Sequence, residues 1–172
     1  MSATAEPSLR VVTEKTLGHR ERRQAGRLLA QEWGADWRRN AYAGPQAPQL
    51  RALELNRAGG VIGQVSAFWL PTEPQRRMYG IGDLVVKPRY RGTGVARRMC
   101  EALTAECWRR EAEIVLVDTL AAQATFLALG FRVVTAFDYF YEVDDTCHRH
   151  RHWLAAERVP VERVCILEHG DF

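Results

Sequence analysis

Apolar residues recur along this chain with two periods, and each change of period marks a change of element. His19–Trp33 carries alanine and leucine at helical spacing with arginines on the other side, which predicts an amphipathic helix. Leu9–Thr13 before it predicts a short strand. Beyond it, Gln49–Asn56 and Val61–Leu70 predict two strands, and the glycines in the turn between them indicate a hairpin.

The centre of the chain changes from strand to helix across a glycine loop. Met78–Val86 predicts a strand, which Pro88 ends because proline has no N–H for a neighbouring strand. Gly92 and Gly94 follow, and helical spacing then begins and extends through Val95–Arg109. Glycines let backbone N–H groups converge, and a helix start leaves its own N–H groups unpaired, which favours an anion such as phosphate. By itself the loop is equally typical of a tight surface turn.

The remaining segments predict a mixed sheet. Ile114–Val117 is a fully apolar run of the strand type, and Ala121–Leu129 predicts a short helix closed by Gly130. Phe131–Thr135 and Val164–Leu167 predict two further strands. Because the central strand, loop, helix and strand require a crossover connection, the sheet must contain a parallel pair.

Composition narrows the class of protein without naming its chemistry. With 172 residues, 47% of them apolar, the chain is long enough for one domain with a core. We expect residues 1–8 to be frayed and residues 9–172 to form that single domain. The net charge of +3 is small and its arginines are scattered, so we expect no binding to nucleic acid. No apolar run approaches the ~20 residues of a membrane span, so we expect no membrane insertion. Cysteines without CxxC spacing, and an N-terminus without a signal-peptide pattern, favour a cytoplasmic location.

Three features together resemble the GNAT superfamily of CoA-dependent N-acyltransferases. The loop spaces Arg89, Gly92 and Gly94 as in the central signature of that family. Segment 122–131 is similar to the motif whose short helix ends in Leu-Gly-Phe, and the order of elements also matches. The resemblance implies an α/β (α+β) fold: a mixed, mostly antiparallel central sheet flanked by helices and splayed at the strand carrying Asp83–Val86.

The resemblance also implies acetyl-CoA as the acyl donor. Loop N–H groups would hold the pyrophosphate, and the strand before the loop would bind the pantetheine and offer an N–H to the thioester carbonyl. The residues implied in donor binding are Leu84, Val85, Val86, Arg89, Arg91, Gly92, Thr93, Gly94, Val95, Ala96, Thr119 and Phe126.

The implied reaction is direct attack of a neutral amine on the thioester, which requires a general base. Asp83 is the carboxylate of the central strand and the first candidate; a solvated aspartate at a strand end is the alternative. Alternation groups Asp83 with Val85, and the sequence does not show which face meets the substrate. Many family members place a proton-donating tyrosine where this chain has Phe126. Tyr139 or Tyr141 could replace it, the thiolate could leave unaided, or the protein could lack catalysis.

The acceptor is expected to be a small amine-bearing metabolite or antibiotic. Glu32, Trp33, Asp36 and Trp37 place carboxylates beside aromatic rings, which suits a cationic amine, although core packing of the tryptophans explains the pattern as well. Asp171 lies in a C-terminus that faintly resembles the Gly-Asp-aromatic ending of aminoglycoside 2′-N-acetyltransferases.

Two other functions remain open at this point. One is acetylation of a protein or peptide amine, and the other is a catalytically inactive CoA-binding regulatory module, suggested by Phe126. Cys147 and the histidines after it match no common zinc spacing, so we expect no metal. Homodimers are frequent in the family, and the sequence does not fix the oligomeric state.

Overall fold

A seven-stranded mixed sheet organises the protein. The computed structural model describes residues 7–35, 49–135, 138–141 and 152–167. The strands in chain order are β1 (Ser8–Thr13), β2 (Leu50–Leu55), β3 (Val61–Leu70), β4 (Thr72–Glu73), β5 (Met78–Val86), β6 (Ile114–Asp118), β7 (Arg132–Val133), β8 (Tyr139–Tyr141), β9 (Trp153–Glu157) and β10 (Val164–Ile166). In the large sheet the order is β1-β2-β3-β5-β6-β9-β7, and a smaller sheet has the order β4-β10-β8. In the large sheet only the β5–β6 pair is parallel among the described strands, which confirms the predicted mixed, mostly antiparallel architecture.

Two long helices cover opposite faces of this sheet. The helices are α1 (His19–Trp33), a 3₁₀ turn (Pro88–Tyr90), α2 (Val95–Arg109) and α3 (Gln123–Ala128). Helix α1 packs Leu28 and Leu29 against Leu53 of β2. Helix α2 packs Met99 and Leu103 against the alternate positions of the same strands, Ala52 included. Since successive strand residues point to opposite faces, the sheet lies between α1 and α2.

Several predicted boundaries are confirmed, and three short strands were missed, β4, β8 and β9. Helices α1 and α2 begin and end at the predicted residues, and β1, β2, β3, β5 and β6 lie within one or two residues of prediction. Strand β9 was not predicted, because Trp153–Glu157 contains no β-branched residue. It forms because β6 and β7 pair with it on both sides. The predicted connection between Pro71 and Arg77 also contains β4, which pairs with β10.

The two cysteines of α2, Cys100 and Cys107, are buried free thiols. Burial raises the pKa of Cys100 and of Cys107 to about 12. Neither thiol is therefore available as a nucleophile near neutral pH. Within the described part of the chain, no helix has the length and apolar character needed to cross a membrane.

Candidate active site

The large sheet opens between β5 and β6. The two strands are paired from Met78–Ile81 against Ile114–Val117. Beyond Ile81, β5 continues to Val86, whereas β6 ends at Asp118. No ladder joins residues 82–86 to β6 in the described structure. A gap therefore opens along the last half of β5, where the splay was predicted.

Asp83 lies on a β-bulge at the point where this gap begins. On β3, Gln64 is opposite Val85 and Ser66 is opposite Gly82, so β5 has one extra residue across this stretch. Asp83 has a φ of 56°, in the left-handed region that aspartate tolerates better than most residues. The predicted alternation therefore does not extend across Asp83, whose bulge resets which residues share a face.

The register also fixes which backbone groups face the gap. The N–H of Lys87 donates to the carbonyl of Ile62 at 2.9 Å, so these two residues form a hydrogen-bonded pair. Gln64 and Val85, two positions along, form the next such pair. The N–H and carbonyl groups of Leu84 and Val86 consequently point away from β3, towards the gap. Edge N–H groups of this kind can hold an extended ligand or polarise a carbonyl oxygen.

The loop after β5 forms a cradle of N–H groups at the start of α2. The first helical hydrogen bond runs from the Arg98 N–H to the Gly94 carbonyl at 3.0 Å. The N–H groups of residues 94–97 therefore have no intrahelical acceptor. Gly94 has a φ of 82° and Gly92 has a φ of 75°, and a side chain at Gly92 would meet open space. This exposed cradle, with the positive end of the helix dipole behind it, fits a phosphate or diphosphate.

An ion pair between a half-exposed arginine and a buried carboxylate anchors the cradle to the sheet. Arg98 donates from Nη2 to Glu54 Oε1 at 2.5 Å and from Nη1 to the Thr93 carbonyl at 3.1 Å. The Glu54 side chain is only 3% exposed, whereas that of Arg98 is 48% exposed. Neither residue was recognised from the sequence, because their pairing across 44 positions has no local signal.

Removing Arg98 should therefore cost more than removing Glu54. Arg98→Met leaves a buried carboxylate without its cation and is expected to lower the free energy of unfolding by about 3 kcal/mol. Glu54→Gln leaves a cation that can turn to water, and about 1 kcal/mol is expected. Urea unfolding of both variants measures the difference, with the exposed Arg27→Met as the matched control. Equal losses in the two variants would contradict the asymmetry.

The two arginines expected to help bind the donor, Arg89 and Arg91, make different contacts. Arg91 donates from Nε to the Val86 carbonyl at 2.9 Å and from Nη2 to Glu32 Oε2 at 2.7 Å. Arg89 lies over the Tyr90 ring at 4.7 Å and donates to the Tyr90 hydroxyl at 2.8 Å. The structure thus brings Glu32, predicted to bind substrate, into an ion pair with the loop.

The remaining predicted substrate residues are only partly described. Trp33 ends α1 and is 49% exposed, so its ring is not core packing. Asp36, Trp37 and Asp171 lie outside the described residues, as does Cys147.

The structure does not bring Tyr139 to the gap. Its side chain is buried and its hydroxyl donates to Glu157 Oε1 at 2.5 Å. Glu157 is opposite Ile114, at the start of β6, and Asp118 lies about 13 Å further along the strand. Burial and the hydrogen bond to Glu157 raise the pKa of Tyr139 well above its usual range. Tyr141 ends the same short strand, and its side chain lies outside the described residues.

The Glu157 cluster predicts acid sensitivity. Burial pushes the pKa of Glu157 up, but hydrogen bonds from Arg132 and Tyr139 outweigh it and hold that pKa below its usual 4.5. A carboxyl whose pKa is lowered on folding stabilises the protein above the unfolded value, and this contribution is lost as pH falls. The free energy of unfolding should decrease below about pH 4.5, and less steeply in Glu157→Gln. Urea titrations at stepped pH test this, and parallel slopes would refute it.

Two residues expected to contact the donor from the β6 side of the gap, Phe126 and Thr119, each contact a residue close by in the sequence. Phe126 is fully buried and packs edge-on against Phe131, with ring centroids 5.0 Å apart. Thr119 accepts the Ala122 N–H at 3.1 Å, at the start of α3. Asp118 accepts the backbone N–H of His152 at 3.0 Å, which attaches the β9 side to the end of β6.

Residues 18–131 match the sequence model of the acetyltransferase (GNAT) family. The matched segment contains α1, the open edge of β5, the cradle and α3. The chain belongs to that family. Membership confirms the predicted class, an acyl-CoA-dependent N-acyltransferase, for this GNAT protein.

Solved structures share the fold of this GNAT protein at low sequence identity. A GNAT N-acetyltransferase from Escherichia coli in complex with CoA superposes with a TM-score of 0.66 at 17% identity, covering 95% of this chain and 91% of its own. An acetyltransferase from Brucella melitensis in complex with acetyl-CoA superposes with a TM-score of 0.59 at 15% sequence identity, and the match covers 95% of this chain and 94% of that one. An aminoglycoside 6′-N-acetyltransferase complexed with coenzyme A superposes with a TM-score of 0.59 at 13% sequence identity, and the match covers 88% of this chain and 98% of that one. Among curated proteins no sequence matches the chain significantly.

Proposed function

We propose that this protein transfers an acetyl group from acetyl-CoA to a primary amine of a small molecule. The observation that carries the proposal is continuity: the open edge of β5 leads directly into the N–H cradle at residues 94–97. A ligand with a diphosphate at one end and a reactive carbonyl at the other matches this path. Two of the structural neighbours are complexes with CoA and acetyl-CoA, which supports the same donor here.

The chain's own groups divide the work of holding the donor. Acetyl-CoA, when bound, supplies an acyl group activated as a thioester. The N–H groups of residues 94–97 bind the pyrophosphate, and Arg89 and Arg91 add positive charge at the rim. The gap-facing N–H groups of Leu84 and Val86 bind the pantetheine and the thioester carbonyl.

Asp83 accepts the proton of the attacking amine, directly or through a water. Its bulge lies where β5 separates from β6, and it is half-buried. Two other carboxylates border this region: Asp118 accepts a backbone N–H from His152, and Glu32 is paired with Arg91. The position of Asp83 on β5, where the ladder to β6 ends, favours it as the base.

Proton return to the leaving sulfur is assigned to water. Phe126 has no proton to give and is buried against Phe131, while the Tyr139 hydroxyl is engaged by Glu157. A thiol with an ordinary pKa near ~8.5 is a fair leaving group without a dedicated acid.

The acceptor is assigned to the small cationic amines. Helix α1 ends beside the donor loop: Glu32 pairs with Arg91, and the next residue, Trp33, has an exposed side chain. An aromatic ring beside a carboxylate suits an ammonium group. One structural neighbour is an aminoglycoside 6′-N-acetyltransferase, which supports testing amino sugars first.

The second candidate function is a CoA-binding module without turnover. It is favoured by one observation, the replacement of a proton-donating tyrosine by the buried Phe126. Such a module would keep the cradle and the β5 edge and would bind CoA without consuming acetyl-CoA.

Thiol release from acetyl-CoA in the presence of an amine panel separates these functions. The panel contains amino sugars, polyamines, small primary amines and a lysine peptide. We expect amine-dependent release with at least one small amine and little with the peptide. Saturable CoA binding with no release across the panel would favour the inert module. Absence of CoA binding would contradict both functions.

A further inference from the structure

Gln64 is a polar side chain buried under the bulge of β5. It is fully buried on β3 and lies opposite Val85. Its Nε2 donates to the carbonyl of Asp83 at 2.6 Å. An amide that reaches a backbone carbonyl on the adjacent strand does so where the bulge has interrupted the regular ladder.

The orientation of this amide is determined by Arg51. Arg51 Nη1 donates to Gln64 Oε1 at 3.0 Å, and a guanidinium can only donate. The Gln64 oxygen must therefore face Arg51, which leaves its NH₂ group facing Asp83. Arg51 is itself held by Glu14, whose Oε2 accepts from Nε at 3.1 Å, and Arg22 donates to the same carboxylate. The result is a chain of hydrogen bonds from α1 to the bulge, in which every link except the last, from Gln64 to Asp83, involves a charged group.

This contact decides where the next peptide N–H points. The carbonyl of one residue and the N–H of the following residue lie in one peptide plane and point in opposite directions. Because Gln64 holds the Asp83 carbonyl on the β3 side, the Leu84 N–H must point to the other side, into the gap. The ladder register leads independently to the same direction for Leu84.

We infer that Gln64 is a positioning residue for the acyl-transfer reaction, acting through the Asp83 carbonyl to aim the Leu84 N–H at the thioester carbonyl oxygen. The inference rests on the proposed function, since the oxygen belongs to the proposed donor. The inference adds a second role for the hydrogen bonds through Arg51: besides stabilising the fold, they hold Gln64 in the orientation that the reaction needs. A hydrogen-bond donor aimed where negative charge develops is among the strongest contributions to acyl transfer.

The decisive variant is Gln64→Glu. A carboxylate of the same shape keeps an acceptor for Arg51 but places an oxygen against the Asp83 carbonyl, so the peptide must rotate. We expect kcat with the best amine of the panel to fall by about 10- to 100-fold, the size of effect that a misplaced catalytic geometry produces. The dissociation constant for CoA should stay within about twofold, because the cradle at residues 94–97 is untouched.

A spectroscopic readout tests the same point without turnover. In uniformly ¹⁵N-labelled wild-type protein, the Leu84 amide resonance should differ between the acetyl-CoA and CoA complexes, because only acetyl-CoA offers a carbonyl acceptor. In Gln64→Glu the two complexes should give the same Leu84 resonance. Gln64→Met, which removes both the amide oxygen and the NH₂ group, should show the same loss of the Leu84 difference. It replaces Gln64→Glu in this test if that variant does not fold. Gln24→Met is the matched control, since the Gln24 side chain also bonds a strand backbone group: its Oε1 accepts the Val61 N–H at 2.9 Å, away from the bulge.

The outcomes distinguish failure of the positioning role of Gln64 from failure of the proposed acetyltransferase function. Wild-type turnover, or its absence, tests the proposed function before any variant is made. Unchanged kcat in Gln64→Glu, or an unchanged Leu84 difference between the two complexes, overturns the positioning role. A loss of CoA affinity equal to the loss of kcat also overturns it, because the glutamine would then support only the fold. A loss of kcat alone, with the Leu84 difference abolished, supports it.

Discussion

Replacing Asp83 with asparagine is expected to lower kcat by about 10²- to 10⁴-fold, the usual contribution of a general base. Asparagine adopts the left-handed backbone region as readily as aspartate, so the φ of 56° at this bulge is preserved. The N–H of Leu84 and the cradle remain in place, and CoA affinity should therefore change by less than about twofold. Steady-state kinetics at saturating acetyl-CoA, together with CoA titration, measure both quantities.

Asp118→Asn is the matched control for this experiment. Asp118 is the carboxylate at the end of β6, on the opposite side of the gap, and its Oδ1 accepts the His152 N–H. An asparagine oxygen can accept the same bond, so kcat should change little. If Asp118→Asn lost activity while Asp83→Asn retained it, the base would lie on β6 and the assignment of Asp83 would be wrong.

Gly94→Val should nearly abolish CoA binding. Gly94 precedes α2 with a φ of 82°, a conformation in which a β-branched residue is a genuine outlier. An added Cβ would also lie 3.2 Å from Arg98 Nη1, the atom that bonds the Thr93 carbonyl. Since the helix start must move to relieve the strain, its N–H groups no longer converge. We expect CoA affinity to fall by at least about 100-fold, or roughly 2.8 kcal/mol.

Gly59→Val separates the loss of the cradle from a general loss of stability. Gly59 lies in the β2–β3 hairpin with a φ of 72° and open space around its Cα. Its substitution carries the same kind of backbone strain, about 1–2 kcal/mol, at a distance from the cradle. Urea unfolding should show destabilisation in both variants, and calorimetric titration should show lost CoA affinity only in Gly94→Val. Intact CoA binding in Gly94→Val would contradict the role of the cradle.

Sequence patterns predicted the elements that form from residues close together in the chain. Helix α2 begins after Gly94 because the glycine spacing and the apolar period agree there. The separation of β5 from β6 was expected from the family resemblance and is observed beyond Ile81. Strand β9, one of the missed strands, contains no β-branched residue and depends on two neighbouring strands, so its local pattern did not reveal it.

The residues missed at the site are those whose partners are distant in the sequence. Glu54 and Arg98 are 44 positions apart, and Gln64 and Asp83 are 19 apart. The available signal was a glutamine within an apolar strand. Such a residue indicates a buried hydrogen bond, but the sequence does not show which group it bonds. Tyr139 was a reasonable candidate by its chemistry, and its position was decided by strand pairing with β10 and by its bond to Glu157. Such pairings are set by the tertiary structure.

The position of bound CoA tests the central claim most directly. Titration of uniformly ¹⁵N-labelled protein with CoA should move the amide resonances of residues 94–97 and of Leu84 and Val86, saturably and with one dissociation constant. These groups are the cradle and the open edge of β5, and no other described region should shift comparably. Saturable binding that leaves these amides unmoved, or an absence of saturable binding, would contradict the account.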